Sequence, residues 1–177
     1  MNFSNINKGA TLLETIIYVA LLGIIAPIIM VSIDRPLNFY SYARIRGDAT
    51  EYAQQAMLVM KREIRDASSV YVSTSIFSSN PGQLSLETTN NLPADELTTF
   101  VDFYLDENRL FMKREGLAPE LLIGGQFIVP RFIVRHLNQT STSSALQIEL
   151  TVAPDSPSAE SRFGSTTIIT TASLRSY

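Results

Sequence analysis

The stretch that decides the architecture is Ala10–Ile33, which reads ATLLETIIYVALLGIIAPIIMVSI. Eighteen of its 24 residues are hydrophobic, and it carries a single charge, Glu14. A helix of this length extends about 36 Å at about 1.5 Å per residue, enough to cross a hydrocarbon core about 30 Å thick. We therefore predict a transmembrane helix over residues 10–33.

The rest of the chain has the composition of one soluble domain. The sequence has 177 residues, 45% of them hydrophobic, and a formal net charge of −3. The acidic balance argues against a nucleic-acid partner, whose phosphates attract basic surfaces. The chain has no cysteine and one histidine, His136. This composition excludes thiolate metal sites, iron–sulfur clusters, disulfides and cysteine nucleophiles.

Three interpretations compete for the apolar segment. A cleaved signal peptide has about 7–15 apolar residues before a small-x-small site, but here the nearest such site, Ser41-Tyr42-Ala43, lies well beyond a longer run. A plain signal anchor fits the composition. Glu14 favours a third interpretation, an assembly helix, because an acid in a membrane helix costs up to about 2.5–3.5 kcal/mol at the centre and requires a partner.

The flanks and the prolines of the segment give further expectations. Two positive charges, Lys8 and the amino terminus, precede the segment, whereas the opposite charges of Asp34 and Arg35 after it sum to zero. Because positively charged flanks stay on the cytoplasmic side of a membrane, we expect the N-terminus in the cytoplasm. Pro27 predicts a kink or local unwinding. Asp34-Arg35-Pro36 predicts a break in the helix, because the residue before a proline is biased away from the helical region.

A short motif surrounds the start of the segment. Lys8-Gly9 is followed by the block Ala10–Glu14 and then by an apolar run that contains Ala20 and Gly23. This arrangement resembles the class III leader and N-terminal helix of type IV pilins and type II secretion pseudopilins. Residues 1–9 would then be a hydrophilic leader peptide ending in glycine.

The resemblance implies a processing and assembly pathway. A prepilin peptidase on the cytoplasmic side would cut between Gly9 and Ala10 and methylate the new N-terminus at Ala10, leaving 168 residues. Glu14 would pair with the N-terminal amine of a neighbouring subunit. Further implied partners are other major and minor pilins, the inner-membrane assembly platform and the lipid bilayer. The protein would be a single-pass protein of a prokaryotic inner membrane, with its C-terminal domain outside, before it enters a pilus or pseudopilus.

After the break, the pattern predicts an amphipathic helix from about Asn38 to Ala67. An apolar stripe recurs at spacings of three and four: Ile45, Ala49, Tyr52, Ala56, Met60, Ile64 and Ala67. A polar face lies opposite: Arg44, Arg46, Asp48, Glu51, Gln54, Gln55, Lys61, Arg62 and Asp66. We interpret the stripe as core packing against a sheet, with a partner-helix surface as the alternative.

From Ser69 onward the hydrophobic period changes to two and turn residues appear. The predicted strands are Val70–Phe77, Gln83–Thr88, Thr98–Leu105, Arg109–Arg114, Glu120–Ile123, Gln126–His136, Ala145–Val152 and Thr166–Leu174. Short connections favour an antiparallel sheet. The expected class is α+β and pilin-like, with a leader at 1–9, a transmembrane helix at 10–33, an amphipathic helix at 34–68 and a β-rich head at 69–177.

A second, more scattered similarity concerns the subgroup. The blocks Met60–Ser68, Phe103–Leu110 and Ala172–Arg175 are similar to J-type minor pseudopilins and PilW-like minor pilins. The function implied is structural: a minor subunit incorporated into, or priming the tip of, a type IV pilus or type II secretion pseudopilus. The alternative is a signal-anchored protein whose β-rich domain binds a ligand outside the cytoplasm without assembling.

The sequence offers little for catalysis, and we expect no enzyme, cofactor or metal. His136 reads as a half-exposed strand residue, and Asp106 and Glu107 as hairpin-turn acids. Gly124-Gly125 suits a turn rather than a phosphate loop. A DNA-binding surface is a candidate only if the fold brings together four basic residues: Lys113, Arg114, Arg131 and Arg135.

Overall fold

The computed structural model describes residues 11–90, 97–140, 143–155 and 164–174. These residues form one helix and eight strands, so the α+β class is confirmed. The elements are α1 Leu12–Asp66, β1 Ser69–Val70, β2 Gln83–Thr88, β3 Thr99–Asp106, β4 Arg109–Arg114, β5 Glu120–Leu121, β6 Phe127–Thr140, β7 Ser143–Pro154 and β8 Thr166–Ser173. The chain divides into two compact units, Met1–Tyr42 and Ala43–Tyr177, and α1 contributes to both.

The predicted break at Asp34-Arg35-Pro36 is wrong, because these residues lie inside α1. A proline removes one backbone donor and biases its predecessor, but that loss is local. Ending the helix there would also give up the hydrogen bonds of neighbouring turns and require a new, unfavourable nucleation. Pro27 lies inside α1 as well, and the kink predicted there stays a prediction.

The strands form two antiparallel sheets, where the sequence predicted one. Sheet A has the order β1-β2-β3-β4-β5 and sheet B the order β6-β7-β8. Within each sheet, every strand pairs with its neighbour in the chain, as the short connections indicated. The division falls after β5, where a turn with Gly125 at φ 73° leads into β6.

Most predicted strands are present with small differences at their ends. The bounds of β2 and β4 are as predicted, and those of β3, β7 and β8 differ by one or two residues. Strand β6 continues to Thr140 instead of ending at His136, and β5 stops at Leu121 instead of Ile123. The turn between β3 and β4 has positive φ at Glu107 and Asn108, 47° and 60°, as a two-residue hairpin turn requires.

The strand predicted at Val70–Phe77 is mostly absent. Only β1, Ser69–Val70, forms a strand with β2 there. Ile76 makes a single isolated bridge to Gln83, and the residues between leave the ladder. The Ser75 hydroxyl replaces a backbone carbonyl as the partner of β2, because it accepts a hydrogen bond from the Ser85 N–H at 3.0 Å. The same hydroxyl donates to the Tyr71 carbonyl at 2.8 Å. Serine side chains offer the backbone such alternatives to ladder pairing, and the alternation pattern does not reveal them.

Backbone hydrogen bonds from the turn before β2 join the two sheets. The Ser78 N–H donates to the Val134 carbonyl and the Gly82 N–H to the Phe132 carbonyl, both at 2.8 Å. The Asn80 side-chain oxygen accepts from the Phe132 N–H at 2.9 Å. This turn, residues 78–82, therefore lies along the outer edge of β6.

The C-terminal part of α1 packs on the strands, which confirms the core interpretation of its stripe. Ala49, Ala56, Met60, Ile64 and Ala67 are buried, and so are Ala53 and Met57. Tyr52 is 39% exposed, although its ring contacts that of Phe127 at 5.4 Å between centroids. The strands contribute the other side of this core: Leu84, Leu86, Val101, Phe103, Leu110, Met112, Phe132, Val134, Leu146, Ile148, Leu150 and Val152.

Candidate membrane and assembly segment

Within the described residues, one helical segment is long and apolar enough to cross a membrane. It runs from Leu12 to Ser32, has a mean hydropathy of 2.4, and none of it is buried inside the protein. Its 21 residues correspond to about 31 Å of helix, close to the thickness of a hydrocarbon core. An apolar surface of this extent requires a cover of lipid or protein.

Four polar residues lie on one side of the helix at the start of this segment. Thr11, Glu14, Thr15 and Tyr18 follow one another at helical spacings, and we call them the polar seam. The Tyr18 hydroxyl donates to the Glu14 carboxylate at 3.3 Å. The Thr15 hydroxyl donates to the Leu12 carbonyl at 2.8 Å. All four are exposed on the helix surface.

Thr11 of the polar seam also caps the helix, a role that was not predicted from the sequence. The Thr11 hydroxyl accepts from the Glu14 N–H at 3.4 Å, as an N-cap residue does. Threonine followed three residues later by glutamate has the capping-box spacing, and an acid in the first turn suits the helix dipole. The signal was present as Thr11-Leu12-Leu13-Glu14. Glu14 contributes its backbone N–H to this cap, while its carboxylate accepts from Tyr18.

The predicted processing residues Gly9 and Ala10 lie outside the described residues. Cleavage between them and methylation of Ala10 stay predictions. The described helix begins two residues after Ala10, at Leu12.

The four basic residues considered for DNA binding do not share one sheet. Lys113 and Arg114 lie on β4 in sheet A, whereas Arg131 and Arg135 lie on β6 in sheet B. Arg131 and Arg135 each bind one oxygen of the Glu149 carboxylate, at 2.9 Å and 2.8 Å. Carboxylates therefore neutralise part of the positive charge that a nucleic-acid surface would need.

Arg114 is engaged by a buried acid on α1. Its two terminal nitrogens bind the two oxygens of Glu63 at 2.9 Å and 3.1 Å. The Glu63 side chain is 10% exposed and that of Arg114 is 22% exposed. Arg62 also contacts Glu63, at 3.2 Å. This bidentate pair fixes α1 to sheet A, and no sequence pattern had pointed to Glu63.

The residues considered for catalysis, His136, Asp106 and Glu107, lie in a ring stack, at a strand end and in a hairpin turn. The His136 ring is half-buried and stacks on Phe77, with 5.5 Å between centroids. Glu107 lies in the hairpin turn with positive φ, and Asp106 is the last residue of β3. Among the residues that the structure describes, His, Asp and Glu side chains form no group of three or more that could hold a metal ion.

Comparisons of the chain with protein-family models, curated proteins and solved structures found no match. The likeness to pilins therefore rests on the motif Lys8–Glu14 and on the apolar segment that follows it.

Proposed function

We propose that the chain is a minor pilin or pseudopilin, a structural subunit of a type IV pilus or type II secretion pseudopilus. A prepilin peptidase cuts it between Gly9 and Ala10 and methylates Ala10. It is stored in the inner membrane with the N-terminus in the cytoplasm and the head outside, and then enters or primes a filament. The observation that carries the proposal is the uncovered apolar segment Leu12–Ser32 with one acid, Glu14, in its first turn.

The charge of Glu14 explains why the segment would assemble rather than only anchor. One hydrogen bond from Tyr18 stabilises a carboxylate but does not neutralise it. The N-terminal amine of a neighbouring subunit supplies the opposite charge within the membrane. Because an unpaired charge in lipid is costly, only a docking position that pairs the two groups is favourable. The pair thereby selects one register between subunits.

The head domain has a mechanical role in this proposal. The C-terminal part of α1 and both sheets share one core, so the head is available as a rigid body for side contacts with unlike subunits. We propose no catalytic activity, cofactor or metal for it. Its partners are the prepilin peptidase, other pilins or pseudopilins, and the inner-membrane assembly platform.

A specific observation favours one alternative. Thr11 caps the helix through the Glu14 backbone N–H, and an acid in the first turn suits the helix dipole. In the alternative, the acid would serve only to stabilise the helix start of a signal-anchored protein. The β-rich domain would then bind a ligand outside the cytoplasm without assembling. Mass spectrometry of the purified membrane form separates the two: we expect a mature N-terminus at Ala10, and an intact Met1 or a cut near Ala43 would contradict the pilin proposal.

Two substitutions of Glu14 distinguish a capping role from an assembly role. Both glutamine and valine keep the backbone N–H that bonds Thr11 and remove the charge, and valine also removes the side-chain acceptor for the Tyr18 hydroxyl. We expect Glu14→Gln and Glu14→Val to insert into the membrane and lose the leader, yet to be absent from sheared filaments on immunoblots. Thr11→Ala weakens the cap and leaves the charge, and it should still be incorporated. Undiminished incorporation of Glu14→Val or Glu14→Gln would refute the assembly role, whereas failure of Thr11→Ala alone would point to the cap.

A further inference from the structure

The two oxygens of the Glu14 carboxylate have different surroundings. The Tyr18 hydroxyl donates to one of them at 3.3 Å. The other oxygen makes no hydrogen bond or ion pair with any residue that the structure describes. One oxygen is therefore held by the protein's own helix, and the other is open to a partner from outside the chain.

Helical geometry brings the Tyr18 and Glu14 side chains together. Residues four apart lie on the same side of a helix, and side chains lean toward the helix N-terminus. The Tyr18 ring therefore extends back toward the turn that contains Glu14. Tyrosine has only two side-chain torsions to fix, so its hydroxyl is a well-defined donor. Tyr18 is 56% exposed and Glu14 is exposed as well, so a neighbouring helix can contact both.

The other hydroxyls of the apolar segment are engaged elsewhere. Within the described segment Leu12–Ser32, the remaining side-chain donors are Thr15 and Ser32. Both donate to carbonyls of their own helix, Thr15 to Leu12 and Ser32 to Ile28, each at 2.8 Å. Of the three hydroxyls in this segment, only that of Tyr18 donates to the acid.

We propose that Tyr18 is a positioning residue for assembly: its hydroxyl holds one oxygen of Glu14 so that the other is presented to the N-terminal amine of the incoming subunit. This role rests on the proposed function, because it requires Glu14 to pair with that amine. A free glutamate side chain loses conformational entropy when it is fixed in a contact. A carboxylate that Tyr18 already holds loses less, so pairing with the amine is more favourable.

Tyr18→Phe tests the role, because it keeps the ring and removes only the hydroxyl. The measurement is the ratio of subunit in sheared filaments to subunit in the membrane, on quantitative immunoblots. The 3.3 Å contact is longer than the usual hydroxyl hydrogen bond of about 2.7–2.8 Å. We therefore expect a loss of about 3- to 10-fold in this ratio, less than a short bond to a charged group would give. The membrane level and the loss of the leader should equal those of the wild type.

Ser32→Ala is the matched control for loss of a hydroxyl from the apolar segment. The Ser32 hydroxyl bonds the carbonyl of Ile28 in its own helix and has no contact with Glu14. The ratio of filament to membrane subunit should be unchanged in this variant.

Replacing Tyr18 by 4-aminophenylalanine, introduced at an amber codon, separates hydrogen-bond donation from packing. The neutral amino group donates from the same position of the ring, whereas phenylalanine has no donor there. We expect this variant to be incorporated better than Tyr18→Phe and close to the wild type. If the ring had only a packing role, the two variants would give equal ratios.

Normal incorporation of Tyr18→Phe would overturn the positioning role. Equal losses in Tyr18→Phe and Ser32→Ala would do the same, and so would a failure of 4-aminophenylalanine to restore incorporation. Glu14→Gln, measured beside them, tells this failure from a failure of the proposed function. If Glu14→Gln is absent from filaments while Tyr18→Phe is incorporated normally, only the role of Tyr18 is lost. If Glu14→Gln is incorporated normally, the assembly role of Glu14 and the positioning role of Tyr18 are both wrong.

Discussion

Removing Arg114 should destabilise the head domain strongly, because it leaves a buried acid without its main partner. Arg114 holds both oxygens of Glu63, whose side chain is only 10% exposed. Breaking a fully buried ion pair from one side costs about 3–5 kcal/mol. Arg62 keeps one contact to Glu63 and Arg114 is 22% exposed, so we expect Arg114→Met to lower the free energy of unfolding by about 2–3 kcal/mol.

The assay is urea unfolding of the full-length protein in detergent, followed by near-ultraviolet circular dichroism of its seven tyrosines. Lys113→Met, on the exposed neighbouring residue, should change the free energy of unfolding by less than about 0.5 kcal/mol. Glu63→Gln combined with Arg114→Met should cost at least about 1 kcal/mol less than the sum of the single changes, because the two side chains are coupled. Equal stabilities of Lys113→Met and Arg114→Met, or additive costs, would refute this explanation.

Two further stability predictions use matched pairs of positions. Met60→Ala, at a fully buried position of α1, should cost about 2–5 kcal/mol in the same urea assay, whereas Leu58→Ala, at a site 65% exposed, should cost little. Gly82→Ala would place a methyl group 2.9 Å from the Phe132 carbonyl oxygen and should cost about 1–3 kcal/mol. In Gly124→Ala the added carbon meets only a side chain, at 3.5 Å, and comparable losses at the two glycines would contradict the close-approach argument.

The sequence was most informative where one physical effect dominates. The period of the apolar residues predicted the core side of α1 and most of the strands, because burial of one face controls both patterns. The bounds of β2 and β4 followed from alternation between turn residues. The hairpin at Glu107 and Asn108 followed from turn chemistry.

The features that could not be predicted depend on contacts between residues, which the sequence pattern does not show. Pro36 was expected to end the helix, but the hydrogen bonds of neighbouring turns outweigh one local preference. The loop after β1 depends on the single hydroxyl of Ser75. Glu63 was missed because its partner, Arg114, is 51 residues away in the chain. In the candidate site, Glu14 was recognised as unusual from its position, whereas its bonds to Thr11 and Tyr18 depend on side-chain geometry.

The strand order of the two sheets has a consequence for how the head folds. In both sheets each strand pairs with its neighbour in the chain, so most pairings close only short loops and can form early. The contacts between the turn at residues 78–82 and β6 span about 50 residues, as the bond from Phe132 to Asn80 does. We therefore expect sheets A and B to form as separate hairpin arrays during synthesis. Their joining through this turn, together with docking of α1, would be the late and slow step.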